Sequence, residues 1–394
     1  MTENILKPGW KVWRFDQIAT NVNVRISNPS ESGMKYYIGL DHLDSDSLKI
    51  RRWGSPDDVA ATKLMFKKGD IIFGRRRAYQ RKVGVAEFDG ICSAHAMVLR
   101  AKPDVVLPEF LPFFIQSDLF MNRAVEISVG SLSPTINWKT MAAQEFPVPP
   151  ISEQLYIIKV LSSAHECYGT YRELEFYLEK ILLARTNDLF SVLAGEENKI
   201  QLIGDVAEVK YGLTINAKRR MIEEQRPYLR VANVQRFYMD LTEVKNIGTN
   251  NKDDSCLLIN RDILVVEGHA DINELGRAAI WEDQIPVCLH QNHLIRIRCF
   301  SDVDPYYVLE HINSPAGRSY FRERGKTTSG LNTLNSTVVR EMPIPIISLA
   351  KQELIAKELK KARQTLSEIL RRKEQHAHVT KKLSAKIFGG GKDE

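Results

Sequence analysis

The sequence predicts a mixed α+β (α/β) protein: two similar domains separated by two long antiparallel helices that form a coiled coil. Three observations predict it. One pattern is written twice, each copy mixes short β-rich runs with helical stretches, and each copy ends in a proline motif followed by a long amphipathic run.

The duplication carries most of the weight. Phe146-Pro-Val-Pro-Pro150 returns as Met342-Pro-Ile-Pro-Ile346, and Cys92 to Arg100 returns as Cys288 to Arg296, both 196 residues apart. Upstream, Gly69-Asp-Ile-Ile-Phe73 matches Arg261-Asp-Ile-Leu-Val265, and Val83-Gly-Val-Ala86 matches Leu275-Gly-Arg-Ala278, both 192 apart. Ser133-Pro-Thr-Ile-Asn-Trp138 faces Gly330-Leu-Asn-Thr-Leu-Asn335 ahead of each proline motif. Matches in one order at nearly constant spacing mark a repeat, although each alone is weak. The expected division is 1–150 and 196–346 for the domains, with 151–195 and 347–394 for the helices.

Within the first domain, 70–73, 82–86 and 96–100 are rich in strand formers and separated by turn residues. The run from Pro108 to Phe120 then reads as helix, echoed by Asp304 to Ile312. Prolines exclude helix from the residues before them, so each proline motif closes the body as an extended segment. The first long helix starts near Ser152, a natural cap for its free amides. Its apolar residues recur at Leu155, Ile158, Leu161, Tyr168, Tyr171, Leu174, Leu178, Ile181 and Leu189. The second repeats this with Ile355, Leu359, Ala362, Leu366, Ile369, Val379, Leu383 and Ile387. Thirty-odd residues make a rod of about 50 Å. Each helix can pack on its own domain, or the two can pair; net charges of −3 over 151–199 and +6 over 351–394 favour pairing.

The 394 residues suit two or three domains, and 43% hydrophobic with 26% charged residues suits a soluble chain. No apolar run approaches the ~20 residues of a membrane span, and Met1-Thr2-Glu3-Asn4 lacks a signal-peptide layout. Five scattered cysteines do not form a disulfide framework, so a cytoplasmic location is expected. Net charge is +4 over 1–150 and −1 over 200–350, so contact with nucleic acid must come from local patches.

The strongest patch is Gly74 to Lys82, where Arg75, Arg76, Arg77, Arg81 and Lys82 can grip phosphates or a guanine edge and Tyr79 can stack. A solvated loop is the plain alternative. The second copy offers Lys218, Arg219 and Arg220, and then Arg324, Lys326 and Thr327 in a Gly- and hydroxyl-rich stretch. Opposite the arginine run it has Glu267-Gly-His-Ala-Asp-Ile-Asn-Glu274 instead, in which Glu267, His269, Asp271 and Asn273 are either base readers or turn formers. Two readers of different sequences on one scaffold have this character.

Enzymatic signatures are missing. No phosphate loop, dinucleotide turn, nucleophile elbow or amino-methyltransferase motif occurs. Cys288, His290, His293 and Cys299 lie in a β-rich stretch without metal-site spacing, so no metal is expected.

The chain resembles the specificity subunit of type I restriction-modification systems. The resemblance rests on Gly69 to Phe73, Val83 to Ala86, Ile136-Asn-Trp138 before Phe146 to Gln154, Gly276 to Trp281, His290 to His293 and Met342 to Pro345. It departs where Ser348-Leu-Ala-Lys-Gln352 stands for Ser152-Glu-Gln154. The resemblance implies two target-recognition domains, each reading half of a bipartite double-stranded DNA site, with the helices as a ruler that docks two methyltransferase subunits. Those partners would use S-adenosylmethionine, and restriction (motor-nuclease) subunits, where present, ATP and magnesium. This chain itself would bind no cofactor and catalyse nothing; a stand-alone DNA-modifying or DNA-cleaving enzyme is the alternative. Removing the residues after about Ile346 is expected to release the domains from each other, read as a larger hydrodynamic radius.

Overall fold

The computed structural model describes residues 6–195, 199–328 and 330–389. Packing divides the chain into two compact units, Met1–Tyr171 with Arg372–Glu394, and Arg172–Arg371. Both long helices are continuous, Ile151–Gly195 and Leu349–Phe388, and the division falls inside each. A division by secondary structure sets the helices apart as segments of their own. Packing instead gives each unit one half of either helix.

Each unit is built on the same four-stranded antiparallel sheet. In the first unit the order is Ala19–Asn21, Ala96–Ala101, Ile71–Gly74, Val83–Val85. In the second it is Ala207–Tyr211, Leu294–Cys299, Ile263–Val266, Ala278–Ile280. A smaller sheet accompanies each, and in both a parallel pair joins it: Tyr37–Ile38 with Gly90–Cys92, and Gln225–Leu229 with Leu289–His290. Two short helices follow, the second capped by Ser117 or Ser314, and a further helix is capped by Asn137 or Asn335. The two units share one topology.

The pairing corrects the spacing read from sequence. Ile71 lies opposite Leu99, and Ile263 opposite Ile297, so the last long strand repeats at 198 residues rather than 196. A buried carboxylate fixes this register twice. Asp70 takes two hydrogen bonds from Arg100 at 2.7 and 2.9 Å, and Asp262 takes two from Arg298 at 2.8 and 2.8 Å. A slip of two keeps every side chain on its face, so apolar alternation cannot detect it. Gly84 and Gly276 are likewise not equivalent. Gly84 pairs with Ile72 in a strand, whereas Gly276 sits before its strand at φ +71°, where an added Cβ would lie 2.3 Å from the Phe321 ring.

The proline motifs form edge strands, Glu145–Val148 against Lys11–Arg14 and Pro343–Ile346 against Lys199–Leu202. Both helices then start in one register, because Gln154 donates its amide to the Pro150 carbonyl and Gln352 to that of Ser348. Ser348 therefore matches Pro150, and Ser152 lies inside the helix rather than capping it. Gln154 and Gln352, each fully buried, satisfy loop backbone: Oε1 accepts from Leu107 or Asp304, and Nε2 donates to Pro149 or Ile347.

The buried face of the first helix contains Gln154, Ile157, Leu161, Leu182, Thr186, Phe190 and Leu193. Leu155, Leu174 and Ile181, expected on the seam, are exposed, as is Val379 of the second helix. In the first unit, Ile157 and Leu161 share a core with Phe388, Leu383 and Ile387 at the other end of the C-terminal helix, and Tyr171 lies 6.0 Å from His376. The two segments therefore run antiparallel. Phe388 packs on Phe110 and Phe114, its centroid 5.8 and 6.1 Å from theirs. In the second unit Phe190 takes the same part beside Tyr307 and His311, at 5.3 and 4.8 Å, in a core with Ala356. Arg185 and Glu358, 3.9 Å apart and mostly exposed, add little by comparison. Phe190→Ala and Phe388→Ala are each expected to cost about 3–5 kcal/mol, read as a lower melting midpoint with faster amide exchange in the unit that holds the ring.

Candidate nucleic-acid interface

In the first unit, residues 75–82 join two neighbouring strands of the main sheet and meet the 129–135 hairpin. The Ile136 amide donates to the Arg75 carbonyl at 3.0 Å, the Arg77 amide donates to Pro134 at 2.7 Å, and Arg76 bridges Thr135. The second unit repeats this seam. Leu334 donates to the Glu267 carbonyl at 2.7 Å, and Gly268 pairs with Thr333 in a small sheet that includes Lys326–Thr328. Backbone bonds therefore place loop against hairpin in both copies, whatever side chains they carry.

The arginine run splits by role. Arg75 donates to the Ala94 carbonyl at 3.0 Å, while its Nε is buried without a hydrogen-bond partner. Burial lowers its pKa, and nearby Arg25 adds to the effect. Arg76 Nη1 lies 3.3 Å from His95 Nε2, and Arg77 donates to Ser133 at 3.2 Å. Burial, then Arg76, Arg75 and Lys63, holds the His95 pKa low, which suits a neutral ring accepting from Arg76. Tyr79 is 54% exposed, so its ring is free to stack. Arg81 and Lys82 are held within the unit by their side chains. Arg81 binds Asp46 at 2.6 Å, Asp118 at 3.0 Å and the Gln116 carbonyl at 2.5 Å, and Lys82 donates to Leu40 at 2.6 Å.

In the second unit the loop is longer, 267–277 against 75–82, and carries different chemistry. His293 Nδ1 lies 2.7 Å from the Glu267 carboxylate. Asp271 accepts from Asn273 at 2.9 Å, and the Asp271 amide donates to His269 at 3.0 Å, so these three shape their own turn. Thr327 donates to Asn332 at 2.8 Å, and Asn332 in turn donates to the carbonyls of His269 and Ala270. Lys326 flanks them in the small sheet, while Arg324 stacks 3.9 Å over Tyr320 at its helix end. Lys218 is exposed, whereas the Arg219 guanidinium is held within the unit and binds Asp253 twice, at 2.7 and 2.9 Å. The Arg220 side chain lies outside the described residues.

The sequence reading missed His95 and His293 as a matched pair. Both are exposed, and both begin at the same point of the frame, 198 residues apart. The spacing of 196 had set His95 against Gln291. The Asp70–Arg100 and Asp262–Arg298 pairs were the signal that could have found them.

At the same spacing Cys92 is replaced by His290, in the strand that pairs with 228–229. His290 donates from Nδ1 to the Cys256 carbonyl at 2.9 Å, and its Nε2 is buried without a hydrogen-bond partner. Burial pushes its pKa down to about 3, assisted by Arg296 and Arg298 and opposed by the Cys256 bond. His293, by contrast, lies exposed in the turn between this strand and the next, so the buried and the exposed histidine that a zinc reading would join are kept apart. Among the described residues no group of three or more His, Cys, Asp or Glu is placed to hold a metal ion.

Above pH 6.5 His290 is neutral folded or unfolded, but below it the unfolded chain takes up a proton that the folded chain refuses. Stability is therefore expected to fall as the pH drops from about 6.5 toward 3. His311, held at about 4 by burial, adds to this. His290→Gln should flatten, but not abolish, the difference between urea midpoints at pH 7 and pH 5.

Residues 27–170 match the family model for the type I restriction modification DNA specificity domain. The EcoDI specificity subunit of Escherichia coli is 29% identical over 194 residues, which are 47% of this chain and 40% of that subunit. The alignment thus spans less than half of that relative. The EcoKI specificity subunit of Escherichia coli K12 is 19% identical over 91% of this chain and 82% of its own. The solved type I restriction-modification S subunit of M. genitalium shares the fold, with a TM-score of 0.63 at 15% identity, covering 100% of this chain and 99% of that one. Over residues 27–170 the chain is thus similar to the type I restriction modification DNA specificity domain, and over most of its length it resembles specificity subunits of type I restriction enzymes. Among the described residues no helix is long and apolar enough to cross a membrane.

Proposed function

We propose that this chain is the cytoplasmic DNA-reading component of a type I restriction-modification complex, and that each unit inspects one half of a bipartite duplex target. The observation that carries the reading is the duplicated seam. Identical backbone bonds hold loop to hairpin in both units, while the loop side chains change from arginines to Glu267, His269 and Asn273. A shared frame with divergent contact groups is what two readers of unlike sequences require.

Arg75, Arg76 and Arg77 supply the cationic contact of the first unit and Lys218, Arg324 and Lys326 that of the second. The chain directs two methyltransferase subunits, and restriction subunits where present, to the site it reads. S-adenosylmethionine, ATP and magnesium belong to those partners. The named relatives support this reading over a stand-alone enzyme, since they are specificity subunits.

Replacing Arg75, Arg76 and Arg77 together by Ala should weaken duplex binding and reduce the slope of log affinity against log salt by roughly 1 per lost phosphate contact. An unchanged slope would remove the first unit's arginines from the interface. Methyl transfer or cleavage by the purified chain alone would favour the enzyme reading.

A further inference from the structure

The two units place unlike chemistry at one equivalent point. Arg75 and Glu267 occupy the same step of the seam, each giving its carbonyl to the hairpin residue 136 or 334. Beside them stand the matched histidines, His95 next to Arg76 and His293 next to Glu267. In the first unit this point offers only donors, because a guanidinium has no acceptor. In the second it offers a carboxylate. One contact from His293 occupies one of its roughly four lone-pair sites, so the partly accessible carboxylate keeps acceptor capacity. His293 is also the more exposed of the two, its side chain 56% accessible against 21% for Glu267, so the pair stands at the surface with the carboxylate braced behind it.

Building on the DNA-reading assignment, we propose that the two places beside the matched histidines, Arg76 at His95 and Glu267 at His293, are the base-reading centres and that they read bases of opposite polarity. Arg76, positioned by His95, addresses the O6 and N7 acceptors of a guanine in the half-site of the first unit. Glu267, positioned by His293, accepts from the N4 amino group of a cytosine in the half-site of the second. Base edges in the major groove distinguish these choices, and glutamine at either position would favour adenine instead. The neighbouring Arg75 and Arg77 hold the loop and its backbone contacts, so Arg76 alone carries the base choice.

Selection of bound duplexes from a random pool, using the full chain, tests this. The wild type should enrich a split motif with a guanine in one half and a cytosine in the other. Arg76→Gln should change the preferred guanine to adenine by about tenfold in one half only, and Glu267→Gln should change the cytosine to adenine in the other half only. His293→Ala should relax that same cytosine position without replacing it, which keeps the test decisive if Glu267→Gln melts early. Variants that enrich the wild-type motif, or that alter both halves together, overturn the proposal while leaving DNA reading in place. A wild-type chain that enriches no motif overturns the DNA-reading assignment and this proposal with it.

Discussion

Everything in each unit depends on a core that its own repeat does not complete. The first unit closes over Phe388, which arrives at the end of the C-terminal helix and packs on Phe110 and Phe114. The second closes over Phe190, from the end of the central helix, beside Tyr307 and His311. Large buried aromatic rings dominate the energetics of such cores, so the helix ends are structural members of the units that receive them. Gln154 and Gln352 complete the arrangement at the helix starts, where a buried amide replaces loop–water hydrogen bonds.

Above that core the main sheet presents its loop in the same way twice. The Asp70–Arg100 and Asp262–Arg298 pairs hold the strands in register, and the seam bonds at 75 to 136 and 267 to 334 hold the loop against its hairpin. Neither device involves a side chain that faces outward from the loop. Arg81, Lys82 and Arg219 show the complement of this rule: cations that resemble contact residues in sequence are bound internally to Asp46, Leu40 and Asp253.

The duplication, the strand-rich bodies, the proline strands and the long helices were legible because periodicity and prolines act locally. The register was legible only to within two residues, because a two-residue slip preserves the apolar face of a strand. The helix seam was misplaced at Leu155, Leu174 and Ile181 for a related reason. Neighbouring apolar residues give two nearly equal stripes, and tertiary contact with residues such as Phe388 chooses between them. At the candidate site Arg75 to Arg77 stood out by charge. His95 and His293 did not, since a lone histidine in a β-rich run carries no signal until its partner's register is known.

The hairpin strap has a consequence for how such a protein changes over generations. The bonds that fasten residue 75 to 136 and 267 to 334 run through peptide groups, which every amino acid except proline possesses in full. Substitution of an exposed loop side chain such as that of Tyr79 thus leaves these strap bonds in place, and the longer 267–277 segment is absorbed at the surface. Under the DNA-reading role proposed above, target preference can then change by single codons while the strap keeps its bonds.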